Sequence, residues 1–271
     1  MTTAATVRTT NGSHWYYTDG NPCYELPKKD GKGMKTPTLA DARKLNLLPS
    51  VTTLLNILDK PALNDWKVTQ GVLAVLTTPR QPGEADDAFV HRVLQVERVQ
   101  DQESSTARDK GTEIHAALEA YFLGQEVPEA MLPWIEPAAK AIIAHGQLVT
   151  AEKILVGEGY ASKTDLIQEA PEAWLIWDFK TTKSIPDRGP WPEHILQLSA
   201  YAAAYWNLLL QAGQATPASK PIKTYNCYIS TVDQGKFAIF QHDPDWQRDY
   251  NQGFKKALEL WQWLKGYKAQ Q

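Results

Sequence analysis

Apolar residues recur along this chain with two periods, and the period changes once. From residue 39 to residue 147 they fall mostly at helical spacing. From residue 153 they gather in short runs separated by Gly-rich and acidic turns. The first part predicts a helix over Leu39–Leu47, then a second opening at Ser50 as N-cap and running through Leu58. Asp59-Lys60-Pro61 breaks that run, and Ala62–Leu76 resumes it. A loop at Pro79–Gly83 leads to a helical stretch over Glu84–Gly124, with a break expected at Asp109–Gly111, and to a further helix over Pro133–Gln147. Three strands follow, Lys153–Val156, Tyr160–Ile167 and Ala173–Phe179, joined by turns at Gly157-Glu158-Gly159 and Glu169–Glu172. A mostly apolar helix over Glu193–Leu210 comes next, then a hairpin of Tyr225–Thr231 with Phe237–Gln241 and a last helix over Asp245–Leu264. Near the N-terminus, residues 14–28 alternate aromatic and polar positions around Gly20-Asn21-Pro22, the pattern of a small hairpin, and Asp30–Lys35 reads as a loop.

Helices, three strands, helix, two strands and helix make an α/β chain of the α+β kind, with helices segregated from a meander. The expected division is an N-terminal hairpin and helical region at 1–100, covering the site, and a core at 101–271, the two forming one compact unit. Residues 1–13 are Thr-rich and read as a loose tail without the apolar centre of a secretion signal.

Composition narrows the classes. No apolar stretch approaches the roughly 20 residues of a membrane span, and no membrane role is expected. Two distant cysteines, Cys23 and Cys227, make no disulfide framework and cannot hold an iron–sulfur cluster, which takes about four thiolates. A reducing cytoplasm is the simplest setting. The net charge of −3 means that any nucleic-acid contact relies on local positive charge.

The chemistry sits at the strand ends. The run Trp174–Trp177 ends in Asp178, and Lys180 lies two further on, on the same side of an extended segment. Asp165 stands within the preceding strand, so a tight turn brings two carboxylates and an ammonium into one small volume. An ordinary salt bridge at a strand end is one reading. The other follows from repulsion: two close carboxylates drive one to protonate unless a cation intervenes. Hard oxygen donors suit Mg²⁺ or Mn²⁺.

The spacing Asp165-x12-Asp178-Phe179-Lys180 resembles the core motif of the PD-(D/E)xK nuclease superfamily. The flanking GYASKTDLI and IWDFKTTK are similar to its RecB-like exonuclease branch. Two more pieces stand in the same order as in that branch. Gly111-Thr112-Glu113-Ile114-His115 resembles its G-x-x-x-H helix, and Gln197-Leu198-Ser199-Ala200-Tyr201 its Q-x-x-x-Y helix. PSVTTLLNILDKPALNDWK at Pro49–Lys67 is similar to phage-type exonucleases and to a related mitochondrial single-strand exonuclease. Ser162 stands where family members often carry Gly.

The resemblance implies a central mixed β-sheet with a restriction-endonuclease-like core. It implies one or two Mg²⁺ or Mn²⁺ ions on His115, Asp165, Asp178 and the Phe179 carbonyl, with no iron–sulfur cluster. Lys180 assists the attack, and Gln197 and Tyr201 border the site. Ser50, Thr52, Lys60, Trp66 and Lys67, with Thr181 and Lys183, are the candidate nucleic-acid contacts, since hydroxyls and ammoniums bind phosphates and Trp stacks on bases. The expected activity is a stand-alone DNA exonuclease of phage or bacterial recombination and repair. It would act on single strands or free ends, with a phage recombination protein as partner. A structure-specific endonuclease and a non-cleaving DNA-binding protein are the alternatives.

Overall fold

The alternation around Gly20 closes as a hairpin: β1 (Trp15–Tyr16) pairs antiparallel with β2 (Pro22–Cys23), Trp15 facing Cys23. The computed structural model describes residues 14–214 and 220–270, and within them every side chain but those of 62–63 and 95–108. The tail expected at residues 1–13 lies outside the described residues.

A second small ribbon, β3 (Leu26–Pro27) with β4 (Met34–Lys35), spans the expected loop. Helix α1 (Leu39–Leu45) opens on a capping box: Thr38 accepts the Asp41 N–H, and Asp41 reaches back to the Thr38 N–H. Strand β5 (Leu48–Pro49) adds to β1, and Ser50 caps α2 (Val51–Leu55) as expected, its hydroxyl accepting the Thr53 N–H at 3.1 Å. Pro61 begins α3 (Pro61–Thr77), where its missing N–H costs nothing. Helix α4 then runs unbroken over Asp86–Phe122, 37 residues, through the break expected at Asp109–Gly111 and across the boundary drawn at residue 100. Glycine costs a helix about 1 kcal/mol relative to Ala, but at Gly111 a β-carbon would meet the Thr181 side chain of the sheet.

A 3₁₀ turn, Glu129–Met131, leads into α5 (Leu132–Ile143). Three long strands follow, β6 (Gln147–Gly157), β7 (Tyr160–Ala170) and β8 (Ala173–Thr182), then α6 (Pro192–Gln211), β9 (Ile222–Ser230) and β10 (Phe237–Gln241). The five strands make one sheet in the order β10-β9-β8-β7-β6. Only β8 and β9, joined through α6, run parallel; the other pairs are antiparallel. The chain ends in α7 (Trp246–Asp249), a π turn at Tyr250–Phe254 and α8 (Lys255–Lys265). Gly253 lies within that π turn, where an added β-carbon would stand 2.3 Å from a methyl of Leu196.

Alternation sorts the sheet into two faces. Leu166, Leu175, Trp177, Phe179, Tyr225 and Cys227 pack with Ile114 and Leu118 of α4 and Ile135 and Ile142 of α5. Ala161, Ile167, Ile176 and Ile222 pack with Leu198 and Tyr201 of α6, with α8, and with Trp15, Leu47 and Val51 of the N-terminal region. This is a mixed sheet between two helical layers, and Trp15 shares one cluster with Trp261 and Tyr267 near the chain's other end. Cys23 and Cys227 are both buried and free. Among the described residues no helix is long and apolar enough to cross a membrane.

Candidate active site

Strands β7 and β8 pair from Ala170–Ala173 to Leu166–Trp177, and there the ladder stops. The next residues to face each other are Asp165 and Asp178. Two side chains take over the bonds that the ladder gives up. Asp165 Oδ2 accepts the Phe179 N–H at 2.5 Å, and Thr164 Oγ1 donates to the Trp177 carbonyl at 3.2 Å. A buried backbone N–H left unpaired is costly, so this exchange lets the strands part without an orphaned group at Phe179. Trp177 anchors the other face: it is fully buried and stacks on Tyr225 with ring centroids 4.4 Å apart.

Asp178 and Lys180 project to the α6 face. Lys180 Nζ stands 2.7 Å from Asp178 Oδ2 and donates to Gln197 Oε1 at 3.0 Å. Gln197 returns an N–H to Asp178 Oδ1 at 2.9 Å and another to the Tyr201 hydroxyl at 2.6 Å. Gln197 and Tyr201 lie one helical turn apart, so one face of α6 presents both. Ser162, at the position where a Gly was expected, donates to the same Tyr201 oxygen at 3.2 Å. The opposite charges two apart therefore form an ion pair, and that pair is one edge of a closed network.

Burial governs the electrostatics. It pushes the Asp178 carboxyl up to about 6; Lys180 opposes the rise and the charge of Asp165 adds to it. Asp165 is also raised by burial, against the Phe179 N–H and the Lys180 charge. Burial, then Lys180, lowers His115 to about 4, which leaves its imidazole neutral at ordinary pH. Burial and the neighbouring Asp178 raise the Tyr201 phenol, which stays protonated.

His115 comes from α4, on the opposite side of the sheet from Gln197. It is half-buried, at the end where the strands part, and the charges of Lys180 and Asp178 act on it. Its predicted neighbours Leu118 and Phe122 are buried core, and Phe122 stacks on Phe179. Gly111 explains the first position of the G-x-x-x-H segment: a β-carbon there would lie 2.6 Å from Thr181 Oγ1. Among the described residues, no three His, Cys, Asp or Glu side chains close into a ready-made cation cage.

The candidate nucleic-acid contacts scatter. Ser50 is 2% exposed and its hydroxyl is taken up by the Thr53 N–H and the Thr52 and Thr53 hydroxyls, so it serves α2 as a cap rather than a strand as a ligand. Thr52 is exposed beside it. Lys60 precedes α3, and Trp66 and Lys67 lie exposed on that helix. Thr181 is half-buried against Gly111, and Lys183 is exposed just past β8.

Four residues near the site escaped the sequence reading. Asn226 of β9 donates to Asp178 Oδ2 at 2.7 Å and to its main-chain carbonyl at 3.1 Å. Its signal was a lone amide inside the apolar run Tyr225–Ile229. His194, three residues before Gln197, pairs through Nδ1 with the Tyr228 hydroxyl at 2.6 Å, and burial lowers it to about 3. Glu119 follows His115 by one turn, and its charge acts on both His115 and Asp165. Lys163, two before Asp165, acts on the same two groups and pairs with Glu152, which holds a positive φ of 53° inside β6.

No protein-family model matches this chain, and no curated protein matches it. Several solved structures are similar to parts of it, two of them as follows. The "putative exonuclease" from Eubacterium rectale is 13% identical over 58% of this chain and 68% of its own, with a TM-score of 0.38. The protein named SSO0001 is 16% identical over 50% of this chain and 62% of its own, with a TM-score of 0.26.

Proposed function

We propose that this chain is a metal-dependent deoxyribonuclease of the PD-(D/E)xK type that removes nucleotides from strand ends. The observation that carries the reading is the meeting of Asp165, Asp178 and Lys180 where β7 and β8 part, with Gln197 clamping both members of the charged pair.

The donor set fits a hard divalent cation. Two carboxylates facing across a splayed strand pair, with both pKa values raised by burial, are an arrangement that added positive charge relieves. Asp165, Asp178, the neutral His115 and the Phe179 carbonyl are the groups that would hold Mg²⁺ or Mn²⁺. Such an ion supplies a water of lowered pKa and charge for the leaving oxygen. Lys180 offers an ammonium at the reacting phosphate, and Gln197 fixes where it points. The Tyr201 hydroxyl holds Gln197 in turn. The neutral imidazole of His115 keeps a nitrogen lone pair available at ordinary pH. Trp66 and Lys67 on the exposed face of α3 suit a single strand, through stacking and phosphate contact. A role in phage or bacterial recombination or repair, beside a recombination partner, follows from the sequence resemblance.

The test is degradation of end-labelled DNA with Mg²⁺ or Mn²⁺ by the wild type, Asp178→Ala and Lys180→Ala. Loss in both variants at unchanged folding supports the reading; equal activity in all three rejects it. A covalently closed single-stranded circle stays intact under an exonuclease and is cut by an endonuclease.

A further inference from the structure

Asn226 stands directly opposite Asp178 in the parallel pairing of β8 with β9, so the two side chains share the α6 face as lateral neighbours. It is fully buried. Both amide hydrogens go to one residue, one to the Asp178 carboxylate and one to its main-chain carbonyl. The amide oxygen faces the other way and accepts from His242 Nε2 at 2.9 Å. His242 follows β10 and is fixed there by its own N–H, which donates to the Thr224 carbonyl at 2.9 Å. One line of bonds therefore runs from His242, just past β10, through Asn226 of β9 to Asp178 of β8.

The chemistry of that line is directional. An amide meets a carboxylate with N–H donors and must then turn its oxygen to the imidazole. His242 must carry its proton on Nε2. Nδ1 is left as an acceptor, buried, with no hydrogen-bond partner among the described residues. The imidazole thus fixes which way the amide faces, and the amide fixes the carboxylate.

The other two partners of Asp178 differ in kind. Lys180 and Gln197 hold it through longer side chains with more rotatable bonds, and the Lys180 side chain is partly exposed. Asn226 has a short side chain, tied at both ends inside the sheet. We infer that Asn226, oriented by His242, is the positioning residue of this site: it holds the Asp178 carboxylate in its ligating direction from inside the sheet. The inference rests on the nuclease reading above. Partners of this sort behind a metal ligand typically change metal affinity or activity by about 10–100-fold when removed.

The experiment measures Mn²⁺ binding by calorimetry without DNA, and cleavage of single-stranded DNA as a function of Mn²⁺. The proteins are wild type, Asn226→Ala, Asn226→Asp, His242→Gln and His242→Phe. Asn226→Ala is expected to weaken Mn²⁺ binding by on the order of tenfold, and Asn226→Asp, which sets a second carboxylate against Asp178, at least as much. His242→Gln retains an N–H donor and stays within about threefold of wild type, whereas His242→Phe falls with Asn226→Ala. Both His242 variants remove the same imidazole from the core, and only His242→Gln keeps an N–H donor for the Asn226 oxygen. Unchanged Mn²⁺ affinity in Asn226→Ala overturns the inference, as does equal loss in His242→Gln and His242→Phe. A wild type that neither takes Mn²⁺ nor cuts DNA overturns the nuclease reading, and this inference with it. A wild type that does both, with Asn226→Ala unchanged, overturns the inference alone.

Discussion

Gly111 of α4 lies against Thr181 of β8 so closely that a β-carbon on the glycine would stand 2.6 Å from the Thr181 hydroxyl oxygen. This contact sets how near the long helix, and His115 one turn further on, comes to the sheet. Gly111→Ala gains about 1 kcal/mol of helix propensity and is expected to lose more, because overpacking costs about 1–3 kcal/mol. Thr181→Ala removes the obstructing oxygen. The double variant should therefore exceed Thr181→Ala in urea stability, while Gly111→Ala alone falls below wild type. A Gly111→Ala protein as stable as wild type would mean that the helix can shift freely.

The Tyr201 hydroxyl receives two buried donors, from Gln197 and Ser162. Tyr201→Phe leaves both without an acceptor, at a cost of about 1–3 kcal/mol for a buried donor left unmade. Ser162→Ala is then expected to cost less in the Tyr201→Phe background than in wild type, because its partner is already gone. Denaturant curves for the four proteins measure this coupling. Strict additivity would show that the two hydroxyls do not act together.

His242 supplies a pH dependence of stability. Its folded value is about 4 against 6.5 in an unfolded chain, lowered by burial. The unfolded chain binds the extra proton first, so the contribution is present in full above pH 6.5. It is lost as pH falls from there toward 4. At pH 5 the loss is about 2 kcal/mol. His194, lowered to about 3, works in the same direction. Asp178, raised to about 6, works in the opposite one. The comparison is therefore between variant and wild type. Stability of His242→Gln should fall less than that of wild type between pH 7 and pH 5. Parallel declines would contradict the lowered value.

Trp66 and Lys67 test the route of a single strand. If bases stack on α3, Trp66→Ala raises the Kd for a labelled oligonucleotide by about fivefold or more, since a stacked base is worth about 1–3 kcal/mol. Lys67→Ala flattens the salt dependence by about 0.7 in slope if it meets a phosphate. Ser50→Ala should leave binding unchanged and cost about 1 kcal/mol of stability through its cap. Fluorescence anisotropy over a salt series separates these outcomes.

Much of the architecture was legible before any coordinates. Gly20-Asn21-Pro22 and Gly157-Glu158-Gly159 placed their hairpins, Ser50 its helix, and the change of apolar period the start of the sheet. Asp178 and Lys180 share a side because two residues in a strand always do, and Gln197 and Tyr201 share one because four residues in a helix nearly do. The expected break at Asp109–Gly111 does not form, because helix propensity alone does not decide what a glycine does in a helix. Its value here is the absence of a β-carbon beside a strand far away in sequence. Ser50 as a strand contact met the same difficulty, since burial is not a local property.

Local periodicity therefore determined the elements and which residues within each share a face. Long-range pairing decided the rest. Only the order of the sheet puts Asn226 beside Asp178, 48 residues away, and His242 behind it. Only the point at which the β7–β8 ladder ends opens the sheet at two acids rather than at any other pair. A sequence carries the period of each strand, but its neighbours and register are set by which side chains the core can bury together.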